Sequence, residues 1–175
     1  MYHVRLVKGN NIFVAEMTPD FTAIKPVTLK PCLVATEPWE NTANADWPVM
    51  EGPAVLKRNN LYYLFYTAND FRNPDYATGY ATSTSPYGPW KKFNGNHIVS
   101  RNGFGINGTG HGDFVTKGND LFYVFHTHFS DSVVAPRRTA IVPVRFQQDG
   151  AIEKMVVDQK AFFFLVLKDR VVQKQ

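Results

Sequence analysis

The sequence predicts an all-β protein made of repeated antiparallel sheet units, and three observations carry that expectation. The block Glu51-Gly-Pro-Ala-Val-Leu-Lys-Arg-Asn-Asn-Leu-Tyr-Tyr-Leu-Phe-Tyr-Thr67 returns sixty positions later as His111-Gly-Asp-Phe-Val-Thr-Lys-Gly-Asn-Asp-Leu-Phe-Tyr-Val-Phe-His-Thr127, with eight identities in seventeen. Aromatic residues make up 14%, with 14 Phe and 8 Tyr, and 11 Pro and 12 Gly break the chain at short intervals, which suits short strands better than long helices. Each copy also runs from a polar turn into an unbroken apolar and aromatic stretch. Strand-rich units repeated at this spacing cannot bury their hydrophobic faces alone, so the expected architecture is a β-propeller of four-stranded blades.

Each blade can be read in order. In the first full blade, Ala54–Lys57 is a short strand. The Arg58-Asn59-Asn60 turn leads to Leu61–Thr67, whose continuous apolar run predicts burial on both faces. Gly79–Ser83 is a third strand, and the turn Pro86-Tyr-Gly-Pro89 enters an outer strand at Trp90–Phe93. The second copy gives Phe114–Lys117, Leu121–Thr127, Arg138–Phe146, an Asp149-Gly150 turn and a last strand at Ile152–Val157. At the front, Tyr2–Val7 and Ile12–Met17 flank the Gly9-Asn10-Asn11 turn as middle strands of a blade that lacks its innermost strand.

The expected organisation is therefore a partial propeller over residues 1–160, about three blades, followed by a C-terminal tail over residues 161–175. Propellers close with four to eight blades. The open apolar faces call for a homo-oligomer, for N-terminal blades missing from this sequence, or for the apolar Ala161–Val172 segment folded over them.

A chain of 175 residues with 44% hydrophobic and 19% charged residues has ordinary globular composition, which excludes general disorder. The net charge of +4 is scattered, with only Lys91-Lys92 and Arg137-Arg138 adjacent, so no nucleic-acid partner is expected. No apolar run approaches the roughly 18 residues of a membrane span, so no membrane partner is expected either. Cys32 is the lone cysteine, and no Cys/His spacing resembles a zinc site. No signal-peptide pattern precedes Tyr2, which leaves extracellular, periplasmic and cytoplasmic locations all open.

Innermost strands line a propeller's axis. The repeat sets Glu51 and His111 at equivalent positions just before those strands, each followed by Gly, so two ionisable groups point into one axial cleft. A turn carboxylate is the competing reading for Glu51, and a core histidine for His111.

The motifs Met50-Glu-Gly-Pro-Ala-Val-Leu56, Leu61-Tyr-Tyr-Leu-Phe-Tyr-Thr67, Tyr80-Ala-Thr-Ser-Thr-Ser-Pro-Tyr-Gly-Pro-Trp90 and Gly108-Thr-Gly-His-Gly112 together resemble glycoside hydrolase family 43, over about Tyr2 to Asp158. The resemblance implies a five-bladed propeller and inverting hydrolysis of arabinofuranosides or xylosides in plant polysaccharides. It makes Glu51 the general acid. Such a group must be protonated near neutrality, a state favoured by partial burial or a neighbouring carboxylate.

By the same resemblance His111 lies under the substrate, where it holds a water or a structural calcium ion on the axis, with no cofactor otherwise required. Arg137 matches an active-site arginine, since it shares a strand face with Thr139 while Arg138 points away; a solvated pair is the other reading. Trp39, Trp47 and Phe71 flank Glu51 and can stack on sugar rings or belong to the core.

The family's base and tuning acid come from earlier blades, and one period upstream of Glu51 falls before Met1. Asp46, Asp70, Asp75 and Asp113 match no catalytic position. A glycosidase represented by its C-terminal part and a noncatalytic carbohydrate-binding or scaffold remnant both follow from this pattern.

Overall fold

The structure is a computed structural model that describes residues 7–156. Its described strands form three antiparallel sheets. Strand β1 (Ile12–Val14) pairs with β2 (Lys30–Leu33). Strands β3 (Met50–Arg58), β4 (Leu61–Ala68), β5 (Ala77–Ser83) and β6 (Lys91–Lys92) form a four-stranded blade in that order. Strands β7 (Gly110–Lys117), β8 (Asp120–Thr127) and β9 (Arg138–Pro143) form the second blade, and the only α-helix among the described residues is the single turn α1 (Arg101–Phe104).

The hairpin between β3 and β4 turns on Asn59 and Asn60, at φ 48° and 62°. Asparagine tolerates this left-handed conformation, and two-residue hairpin turns need it to match the twist of their strands. Strand β4 is buried on both faces. Tyr63 and Phe65 pack towards the second blade with Tyr80, Tyr123, Phe125 and Ala140, while Leu64, Tyr66 and Ala68 pack towards the N-terminal sheet with Ile12 and Leu33. Each such side chain, fully buried, contributes roughly 1.5–3 kcal/mol of transfer free energy. This is why Leu61–Thr67 reads as a continuous apolar run instead of an alternating one.

The periphery departs from the sequence reading. Strand β1 ends at Val14, and its partner is β2, which the sequence analysis did not identify; Met17 instead bridges Ile24. Pro31 in β2 withholds a backbone donor and is tolerated because the strand is an edge. Tyr2–Leu6 and the 161–175 tail lie outside the described residues. The last strand expected at Ile152–Val157 shortens to a bridge between Ile152 and Phe146, extended by Glu153 N–H donating to the Arg145 carbonyl at 3.0 Å. Around the N-terminal sheet, Phe21 and Val27 remain 78% and 84% exposed.

Candidate active site

Strands β3 and β7 begin at the same end of their blades, and both hairpins lose register there. The shift lies between Glu51 and Ala54 in one and between Gly110 and Asp113 in the other. Bulges of this kind re-aim a side chain at a strand end. Gly52 sits at φ 58°, and a Cβ there would lie 3.1 Å from His111 Cγ, so the two blade ends meet at this point. His111 itself holds φ 51°, an unusual conformation for a side-chain-bearing residue, with its N–H donating to Thr67 Oγ1 at 2.9 Å.

This backbone arrangement gathers five polar side chains. The Tyr76 hydroxyl, fully buried, donates to Glu51 Oε1 at 2.6 Å. His111 Nδ1 lies 3.7 Å from the same oxygen. The His126 ring stacks on Tyr76 at 5.5 Å between centroids and lies 6.1 Å from His111. Arg137 Nη1 donates to His126 Nε2 at 2.7 Å and the guanidinium lies 5.5 Å over the Phe71 ring.

Because Arg137 is a donor, Nε2 of His126 is the acceptor and the ring is neutral, with its proton on Nδ1. Burial lowers the His126 pKa from 6.5 to about 4, assisted by the Arg137 cation and then by His111 and His128. Burial, and secondarily the hydrogen bond and charge of Glu51, push the Tyr76 hydroxyl well above its usual range, so it remains a donor.

The sequence-derived candidates divide. Glu51, His111 and Arg137 converge, and Arg138 turns away to lie 4.5 Å over Phe129. Phe71 lies under Arg137, and its carbonyl is 2.8 Å from His128 Nε2. Trp47, 57% exposed, lines a separate cleft and donates through Nε1 to Asn10 Oδ1 at 2.8 Å. Trp39 does not flank Glu51 but packs on the other face of β4, against Tyr66 and His97 at 5.7 and 5.4 Å, because side chains alternate along the strand.

Tyr76 and His126 are the members of the cluster that sequence reasoning missed. The repeat contains a signal for His126: it occupies the position of Tyr66, where one buried aromatic is exchanged for an imidazole.

The nearby aspartates are engaged elsewhere. Arg72 clamps Asp70 with Nε and Nη2 at 2.7 and 2.8 Å. Arg101 pairs with Asp75 at 2.8 Å. Asp46 is solvent-exposed near Lys8, and Asp113 accepts from the N–H of Phe114. Among the described residues no group of three or more His, Cys, Asp or Glu side chains is arranged for a metal ion. Calcium prefers six to eight oxygen ligands, and the single carboxylate beside His111 does not fit the axial calcium that the sequence analysis entertained.

A carboxylic acid, a tyrosine, two histidines and an arginine thus gather at one end of the strands of two neighbouring blades. The profile of glycosyl hydrolases family 43 matches residues 2–152, and the chain belongs to that family. It is similar to a solved endo-1,4-beta-xylanase from Bacteroides thetaiotaomicron, with 38% identity and a TM-score of 0.77 over 88% of this chain and 53% of that one. It is also similar to a solved alpha-L-arabinofuranosidase from Lactobacillus brevis, with 28% identity and a TM-score of 0.73 over 87% of this chain and 49% of that one. Beta-D-galactofuranosidase xynD of Aspergillus niger is 30% identical over 105 residues, which is 59% of this chain and 31% of that protein. The chain thus spans about half the length of the two solved relatives and about a third of the fungal one.

Proposed function

We propose that these residues form the acid-side half of an inverting glycosidase site for arabinofuranosides or xylosides. The observation that carries this reading is the half-buried Glu51 carboxyl held by the buried Tyr76 hydroxyl at 2.6 Å, with His111 on its other flank at 3.7 Å. With Oε1 accepting from Tyr76, the proton for the leaving glycosidic oxygen is carried on Oε2. His111 and Arg137 then bind the hydroxyls of the sugar that is being released. Neutral His126 supports the role of Arg137, because an uncharged imidazole accepts from the guanidinium and holds it in place without a second cation beside it.

An inverting site needs a second carboxylate, which activates water from about 6.5–9.5 Å across the bond. The pairing of Asp70 and Asp75 with arginines supports a source for that base other than these two aspartates, in further blades or a second chain. The exposed Phe21 and Val27 support such a partner at the N-terminal sheet, and the 161–175 segment is the other candidate cover. Without a base the same half-site serves only to bind carbohydrate.

The test is hydrolysis of aryl arabinofuranosides and aryl xylosides by the purified 175-residue chain. Little or no turnover is expected, since loss of an acid or base partner typically costs about 10²- to 10⁴-fold. Robust turnover abolished by Glu51→Gln would show that a local carboxylate or one from a second copy of the chain acts as base. Turnover unaffected by Glu51→Gln would remove the acid assignment itself.

A further inference from the structure

The backbone of the bulge that carries His111 is held by side-chain hydroxyls. Gly110 opposes His126 and Asp113 opposes Val124, so His111 and Gly112 stand together against the single residue Phe125. Both of their N–H groups find oxygens on buried side chains. His111 donates to Thr67 Oγ1 of β4 at 2.9 Å, and Gly112 donates to the Tyr123 hydroxyl of β8 at 3.0 Å. Thr78 of β5 joins the two acceptors, with its Oγ1 3.0 Å from Thr67 Oγ1 and a longer 3.5 Å from the Tyr123 oxygen. All three residues are fully buried.

Two further features make this placement specific. Thr67 is the ladder partner of Glu51 in the β3–β4 hairpin, so one residue stands opposite the carboxyl-bearing residue and also holds the backbone of the histidine. The packing leaves the bulge little room to relax. A Cβ on Gly110 would overlap Thr67 Cγ2, and one on Gly112 would overlap the Val124 carbonyl oxygen and Tyr123 Cζ, so glycine is needed on both sides of His111.

The repeat counterparts of these hydroxyls are used differently. Tyr63, the counterpart of Tyr123, donates to the Gly150 carbonyl at 2.9 Å, and Thr127, the counterpart of Thr67, donates to the His128 carbonyl at 2.9 Å. The hydroxyl chain is therefore particular to the junction where His111 meets Glu51.

We propose that Thr67, backed by Thr78 and Tyr123, is a positioning residue that registers His111 of the second blade against Glu51 of the first. A backbone donor facing a buried side chain needs an acceptor there, so the His111 N–H follows the Thr67 hydroxyl. The 3.7 Å separation of His111 Nδ1 from Glu51 Oε1 is the result. The purpose of this registration rests on Glu51 and His111 forming the proposed glycosidase site, whereas the registration itself does not.

The experiment is NMR on the 175-residue chain. The shift of the His111 ring resonances on Glu51→Gln measures how closely the histidine senses the carboxyl, and it is recorded in the native, Thr67→Val and Thr67→Ser backgrounds, with urea unfolding of each. Valine keeps the shape of threonine and loses the hydroxyl, while serine keeps the hydroxyl. Thr67→Val should reduce the response at least about twofold, as removal of a coupling contact does, and Thr67→Ser should restore it.

A merely structural threonine would lower the urea midpoint and leave the response intact, and that result overturns the inference. So does a serine variant that behaves like valine. If Thr67→Val does not fold, Thr78→Val carries the test, since it keeps the acceptor of the His111 N–H and removes its support; a weakened response is expected, and a native-sized one overturns the inference. Turnover tests the acid assignment separately. Glu51→Gln without effect on hydrolysis removes that assignment while the dependence of the NMR response on Thr67 remains.

Discussion

Replacing Arg137 by Met should raise the pKa of His126. The folded chain holds His126 near 4 instead of 6.5, with burial the largest cause and the Arg137 cation second. The cation's share is therefore smaller than that of burial, and Arg137→Met should move the titration up while leaving it below 6.5. The displacement also fixes how stability responds to acid. The unfolded chain takes up a proton on this histidine at higher pH than the folded chain does, so stability contributed by neutral His126 is fully present above pH 6.5 and is lost as pH falls towards 4.

At 1.36 kcal/mol per pH unit, and discounted for the ring's partial exposure, the loss is on the order of 2 kcal/mol. The assay is an NMR titration of the His126 ring in the native and Arg137→Met chains, with urea unfolding at pH 7 and pH 4.5. His126→Gln should show a smaller acid loss by about that amount. A His126 midpoint near 6.5 in the native chain, or no change on removing Arg137, would refute both the neutral tautomer and the arginine's role in holding it.

Two further substitutions test the framework beneath the site. Glu40 is fully buried and accepts from Lys92 at 2.6 Å, from the Thr36 and Glu37 N–H groups at 2.7 and 2.8 Å and from the Tyr66 hydroxyl at 2.8 Å. Glu40→Gln leaves the lysine without its counter-charge, bonded only to the Val34 carbonyl and Thr36 hydroxyl, and should cost about 3 kcal/mol in urea unfolding, with much of the loss recovered in Glu40→Gln combined with Lys92→Met. Gly52→Ala forces a side chain into φ 58° and towards the His111 ring, and should cost about 1–2 kcal/mol while displacing His111 resonances in NMR spectra.

The β3–β4 and β7–β8 hairpins are legible in the sequence because their register, turns and double-sided burial are all local consequences of the repeated block. Strand β2 is not, since Lys30-Pro-Cys-Leu33 has neither alternation nor an apolar run, and its pairing depends on a partner sixteen or more residues away. In the site, Glu51 and His111 can be paired from repeat position, and Arg137 can be separated from Arg138 by alternation. Tyr76 cannot be found this way. It lies outside the repeated block, and only the meeting of its hydroxyl with Glu51 across 25 positions gives it a role. Trp39 is misjudged for the opposite reason: closeness in sequence to Glu51 says nothing about which face of β4 a loop aromatic will cover.

The two copies of the hairpin also separate what is kept from what is free to differ. Tyr63 and Tyr123, Phe65 and Phe125, and Thr67 and Thr127 are identical pairs, all buried to within 2% exposure, and they form the shared wall between blades. Among the nine changed pairs are Glu51 with His111 and Tyr66 with His126. The second-blade members, His111 and His126, stack with ring centroids 6.1 Å apart, while Tyr66 donates to the buried Glu40 carboxylate. Scaffold and chemistry therefore occupy different positions on the same strands. A new group can be installed at a blade mouth without disturbing the packing that holds it there, which makes residues 51, 111 and 126 the natural positions for redesigning specificity on an unchanged frame.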